Sequence, residues 1–251
     1  MRSAYDPSLW SRAASQARLD VTRHVTARSL GSQTTDDFTV ALLLDPDDPL
    51  CASREEVWRA AVGKERLRPL YWKSVIGDFA PWDTRRTREQ PTGSLAMKNR
   101  VAAMAYRYAW SDALQLVSGA TLMTRLDDDD ALARDTLQRV RRAVNPRLGR
   151  HALIHPNGFR VWRGQYDRVV HRVNAMHSLY APDGDDICIY DYGHTKVRQK
   201  ISRIVEPDRR AAWLWVRHPD TISGWRKSTR PVNAQLRRLF DVEWGFLEAL
   251  R

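Results

Sequence analysis

Asp127-Asp128-Asp129-Asp130 is the sharpest chemical feature of this 251-residue sequence. Four adjacent carboxylates repel one another, and each resists folding unless a cation neutralises it. The run follows the apolar segment Ala120–Leu126, which reads as a strand, and precedes residues 131–144, which read as a helix. That position is the carboxyl edge of an α/β sheet, where ligands bind. A divalent cation held by one or two carboxylates, with water and phosphate oxygens completing its shell, is how Mg²⁺ or Mn²⁺ joins a protein to a nucleotide diphosphate. The plainer reading makes Asp129 or Asp130 the N-cap of the following helix, with the other acids in water near its positive end. Capping needs only one acid, so the metal reading accounts for more of the run.

Net charge favours anionic company without choosing it. Lys plus Arg number 41 against 30 acids, a net +11, and only six of the 41 are lysine. Nucleic acid, nucleotide phosphates, anionic lipid heads and acidic glycans all suit such a surplus. The arginines are dispersed, as at Arg85, Arg86 and Arg88 or Arg139, Arg141 and Arg142, so a solvated surface and a working patch both remain open. Hydrophobic residues at 43% and charged residues at 28% exclude a wholly disordered chain. No apolar run approaches the roughly 20 residues of a membrane span, and no signal-peptide core opens the sequence. Cys51 and Cys188 are the only cysteines and lack metal-ligand spacing, which suits a reducing, cytoplasmic location.

The elements that must position the aspartates alternate strand and helix. Residues 8–30 carry Leu9, Trp10, Ala13, Ala14, Ala17, Val21 and Val25 at helical spacing. Asp37–Asp45 reads as a buried strand stopped by the Pro46–Pro49 turn, and Ser53 with Glu56 as a capping box before a helix around Val57–Val62. Leu70–Ile76 is a second strand, Pro81–Gly93 a loop, and Ser94–Val117 a long helical stretch. This order predicts an α/β fold with a mixed, mostly parallel sheet flanked by helices. Beyond Arg150, short strands are expected at His151–Ile154, Phe159–Trp162, Asp167–His171, Ile187–Asp191 and Trp213–Arg217, around Asn157-Gly158 and Gly164. Asn233–Leu250 reads as one amphipathic C-terminal helix.

Thr124-Arg125-Leu126-Asp127-Asp128-Asp129-Asp130-Ala131-Leu132 resembles the strand-plus-DxD segment of GT-A glycosyltransferases. It is most similar to the rhamnosyltransferase-like family, whose pattern there is T-R-L-D-x-D-D-A-L. Other segments agree in order. Ser29-Leu30-Gly31-Ser32-Gln33 and then Asp37-Phe38 resemble that family's S-L-x-x-Q and x-D-F. Asn157-Gly158 through Tyr166, followed by Ser178-Leu179, resembles its glycine hairpin and S-L stretch, and Trp213-Leu214-Trp215-Val216-Arg217-His218 its closing W-L-x-V-x-H strand. The resemblance spans roughly residues 8–225. GT-A chains open with a strand that lines the nucleotide pocket, and Met1–Pro7 offers no such pattern.

The resemblance implies a single GT-A-type domain: residues 1–145 as the nucleotide-sugar half, 146–230 as the acceptor-side half with its β-hairpin region, and 231–251 as the C-terminal helix. It makes Asp127 and Asp129 the metal pair, with Asp128 and Asp130 able to substitute, and His218 a further metal or diphosphate contact. Lys98 and Asn99 match a basic-Asn pair facing the donor nucleotide. Arg125 either neutralises the diphosphate or pairs with the aspartates. The implied cofactor is Mn²⁺ or Mg²⁺. The implied reaction moves a sugar from a nucleotide-diphosphate donor to a hydroxyl of a glycan, lipid-linked glycan or protein, with inversion. Asp191 is the first candidate for the base because Tyr192-Gly193-His194 follows it, with Asp185, Asp186 and Asp220 behind it. Asp185-Asp186 also reads as a turn after Pro182-Asp183-Gly184. Of ten tryptophans, Trp162, Trp213, Trp215 and Trp225 fall in the acceptor-side half, where core packing is preferred to sugar stacking.

Two other classes stay in view. A metal-dependent nucleic-acid enzyme or binder would also use carboxylates and +11, although no nucleic-acid-binding signature is visible. A non-enzymatic scaffold would keep the fold without turnover.

Overall fold

The computed structural model describes residues 12–44, 48–71, 121–172, 176–182, 197–217 and 230–250. The expected elements at Pro81–Gly93, Ser94–Val117 and Ile187–Asp191 lie outside these residues. The first helical run holds α1 (Arg12–Val21), a π-helical turn at Thr22–Ala27 and α2 (Arg28–Gly31). It buries the expected Val21 and Val25, together with Leu19, Ala27 and Leu30, whereas Ala17 is exposed. It also buries a second row of small polar groups, Ser15, Thr22, Thr26, Ser29 and Gln33.

A βαβ unit follows, with β1 (Val40–Leu44) and β2 (Leu67–Tyr71) parallel and α3 (Cys51–Val62) between them. β2 begins earlier than the expected Leu70, and residues 72–76 are not described. The Ser53–Glu56 capping box is not realised, because α3 has already begun at Cys51. Asp48 takes the role instead: its carboxylate accepts the Leu50 N–H (3.0 Å) and its carbonyl the Cys51 N–H (2.9 Å). Ser15 and Arg54 donate to the same carboxylate and tie α3 to α1.

The chain then forms β3 (Thr121–Thr124), β4 (Asp130–Leu132) and α4 (Thr136–Ala143). β5 (His151–Ile154), β6 (Asn157–Trp162), β7 (Gln165–Val170) and β8 (His177–Ala181) follow. After α5 (Val197–Lys200) come β9 (Ile204–Val205), β10 (Trp213–Val216) and β11 (Arg230–Pro231). The chain closes with α6 (Ala234–Leu239) and α7 (Trp244–Ala249). One sheet runs β11-β7-β6-β10-β4 and another β3-β8-β5-β9. Fold class is therefore mixed α/β, but the expected parallel majority is not found among the described residues. Three strand pairings are parallel and five antiparallel. Connection length decides this. Arg163-Gly164, with φ of 46° and 70°, makes a two-residue turn that can join β6 and β7 only as an antiparallel hairpin.

Two further expectations are corrected. Residues 131–144 are not all helix: Ala131 and Leu132 belong to β4, paired with Leu214 and Trp213 of β10, and the helix starts at Thr136. An Ala-Leu-Ala run buried on every side carries no period that separates strand from helix. The C-terminal helix is two helices. Phe240 is extended (φ −121°, ψ 127°) and 0% exposed, which turns it, Val242 and Trp244 into the core.

The five-stranded sheet is covered on both faces. Leu214, Val216, Val161 and Tyr166 pack with Val21, Val25, Phe240 and Leu247 on one side. On the other, Trp213 packs with Leu132, Trp58, Val62, Leu30 and Leu137. Trp213 is 0% exposed and donates its indole N–H to the His155 carbonyl at 2.8 Å. It lies flat over Gly158, its parallel partner in β6; a Cβ there would sit 2.1 Å from the indole. Gly158→Ala should therefore cost about 2 kcal/mol or more, read as a lower urea midpoint at unchanged m.

Burial, reinforced by the Arg139 charge, pushes the neighbouring His155 imidazole down to about 4. Its folded value lies below the unfolded one, so this stability is fully present above pH ~6.5 and is lost as the pH falls toward 4. Between pH 7 and pH 5 the protein should lose about 2 kcal/mol that a His155→Gln variant does not, measured by urea unfolding at both values.

Candidate functional site

The aspartate run sits where β3 hands over to β4. The Arg125 N–H donates to the His177 carbonyl (3.0 Å), which carries the β3–β8 ladder up to the run. The Asp130 N–H then reaches back to the Asp127 carbonyl (3.3 Å), so the four acids form one tight turn. β4 leaves that turn antiparallel to β10, with Asp130 opposite Trp215. The helix that the sequence placed directly after the run begins only at Thr136, and its cap position is Asp135, so neither Asp129 nor Asp130 caps it.

Three of the four carboxylates have identified partners on different elements. Asp127 Oδ1 accepts from Arg125 Nε (3.2 Å) and Nη2 (3.1 Å), so Arg125 pairs with the aspartates, one of its two expected roles. Asp128 accepts from Nη2 of Arg18 on α1. Asp130 Oδ1 accepts the Val216 N–H (3.3 Å) at the end of β10. Partial burial opposes ionisation of Asp128, yet the Arg18 charge and hydrogen bond outweigh it and hold the carboxyl below the usual range. In return Asp128, with help from Asp129 and Asp127, pushes the Arg18 guanidinium up. Asp130 goes the other way: burial first, then the charges of Asp129 and Asp127, drives it well above an ordinary carboxyl. Arg217 lies near enough for Asp130 and Asp129 to act on it.

The donor chemistry suits a hard divalent cation. Carboxylate oxygens on a tight turn leave most of a cation's shell to water and phosphate. Among the described residues, no three His, Cys, Asp or Glu side chains converge into a metal cage. Of the other residues singled out in the sequence, Lys98, Asn99, Asp185, Asp186, Asp191, His218, Asp220 and Trp225 lie outside the described residues. Trp213 is core, as preferred, and Trp215 stacks beside it with ring centroids 4.6 Å apart. His171 meets Trp215 edge-on at 5.2 Å and the Arg217 guanidinium lies 5.2 Å from the same ring.

Sequence reasoning missed Arg18 and Thr22. Thr22 shares its hydroxyl between the carbonyls of Arg18 (2.9 Å) and Asp128 (3.2 Å). The available signal was the row of small polar residues at helical spacing, Ser15, Thr22, Thr26, Ser29 and Gln33, beside the apolar one. Asp128→Asn should strand the Arg18 guanidinium, whose side chain is only 16% exposed. Because Asp128 itself is 40% exposed, the expected loss is modest, about 1–2 kcal/mol by chemical denaturation at pH 7.

Within the described residues no helix is long and apolar enough to cross a membrane. No curated protein and no solved structure matches the chain. One family model does, described as Putative rhamnosyl transferase, over residues 92–228. That segment contains the aspartate turn, both strands flanking it and β10, and it is more than half of the sequence. The chain belongs to the Putative rhamnosyl transferase family.

Proposed function

We propose that this protein is a metal-dependent glycosyltransferase of GT-A type, moving a sugar, rhamnose by the family's name, from a nucleotide-diphosphate donor to an acceptor hydroxyl. The observation that carries the reading is the aspartate turn at the end of β3, lying within the family match. Asp127 and Asp129 hold Mn²⁺ or Mg²⁺ in this proposal, and Asp128, committed to Arg18, does not. The bound cation supplies charge stabilisation to the departing diphosphate. Arg125 orients Asp127 through two hydrogen bonds to its Oδ1. Lys98 and Asn99 face the nucleotide, His218 adds a contact at the end of the β10 segment, and Asp191, or failing it Asp186, removes the acceptor proton with inversion. The acceptor is a glycan, a lipid-linked glycan or a protein.

The +11 charge and the same carboxylates favour a metal-dependent nucleic-acid enzyme or binder as the second reading. Thermal unfolding against UDP, GDP, dTDP and CMP, each with and without Mn²⁺, separates the two. At about 100 times Kd the matching diphosphate should raise Tm by about 5–10 °C, only with metal, and Asp129→Ala should erase the rise. A flat nucleotide panel beside a salt-sensitive shift with DNA or RNA would replace the transferase with the second reading.

A further inference from the structure

The turn is held from a place the proposed chemistry does not use. Residue 128 is gripped twice by one helical turn: Arg18 takes its carboxylate, and Thr22, four residues on, takes its carbonyl oxygen. Thr22 is also the first residue of the π-helical turn Thr22–Ala27 inside an otherwise α-helical run. A π turn widens the helix and re-aims the side chains around it, and such insertions concentrate at functional sites. Here Thr22 and Arg18 also share a bond, since the Thr22 hydroxyl meets the Arg18 carbonyl at 2.9 Å. Side chain and backbone of one residue are thus fixed from a single rigid element, while Asp127 and Asp130 are tied elsewhere, to Arg125 and to β10.

We infer that Arg18 and Thr22 are positioning residues: they clasp Asp128 so that the turn presents Asp127 and Asp129 to the donor's metal. This rests on the metal-dependent transferase reading above. Groups that orient metal ligands without touching the metal typically change affinity by about 10–100-fold when removed. Electrostatics alone predicts the opposite sign, because deleting the Arg18 charge would favour a nearby cation. Charge-conserving variants therefore isolate the geometry. Arg18→Lys keeps the charge and loses the planar fork, and Thr22→Val keeps the shape and loses the hydroxyl.

The experiment titrates Mn²⁺ alone into the 251-residue chain and counts free metal by electron paramagnetic resonance. Arg18→Lys and Thr22→Val, each confirmed folded by circular dichroism, should bind about tenfold more weakly than the unsubstituted chain. Arg139→Lys, on α4 at the ion pair of the buried Arg139 with Asp208, should lower Tm and leave Mn²⁺ affinity unchanged. Should Arg18→Lys fail to fold, the near-isosteric Thr22→Val decides alone. Undiminished binding in the clasp variants overturns the inference and leaves the transferase reading standing. An equal loss in Arg139→Lys marks general loosening and also overturns it. Absence of Mn²⁺ binding by the unsubstituted chain sinks both.

Discussion

Four consecutive carboxylates cannot be laid against a folded chain unless donors or positive charge meet them, and the structure around residues 127–130 follows from that constraint. Each identified partner comes from a different element. Arg125 is on the strand's own exit, Arg18 on the first helix, and the Val216 N–H at the end of β10. The first helix must run where it does for Arg18 to arrive, and β10 must extend to Val216 to offer its amide. Burial and the charges of Asp129 and Asp127 leave Asp130 far from an ordinary carboxylate.

The helix does more than deliver a guanidinium. Among the described residues β4 is the last strand of its sheet, with β10 on only one side, so its outer backbone groups need partners from elsewhere. The polar row supplies them. Ser29 Oγ accepts the Leu132 N–H (3.3 Å), and Gln33 donates to the Ala133 carbonyl (3.0 Å) while accepting the Leu137 N–H (3.1 Å). The Thr34 N–H closes the series on the Arg134 carbonyl at 2.8 Å. An all-apolar helix would bury as much surface and leave those groups unsatisfied. This is why the first helical run buries polar groups along the sheet's edge and apolar ones on either side of it, Val21 and Val25 in one cluster and Ala27 and Leu30 in the other.

Much of this was legible in the sequence, and the failures share a cause. Apolar spacing located the first helix, turn residues the β6–β7 hairpin, and short apolar runs bounded by polar residues β1 and β10. The aspartates stood out because nothing else in the chain concentrates charge so tightly. What could not be read lies where residues are buried all round or answer distant partners. Ala131 and Leu132 joined a strand because β10 was there to pair with them, Phe240 left its helix to fill the core, and Asp48 displaced the local capping box through contacts with Ser15. Arg18 was invisible for the same reason, since its partner lies 110 positions away.

That separation bears on the order in which the molecule assembles. Both grips on Asp128 join residues 106 and 110 positions apart, whereas the Arg125–Asp127 pair spans two. Contacts of such range form only after the chain ends between them have been brought together, at the cost of loop-closure entropy. The Arg125–Asp127 pair needs no such closure, whereas both grips on Asp128 do. Completion of the turn thus reports docking of the first helix onto β4, a long-range event, and any binding at the turn draws on the same free energy that closes the fold.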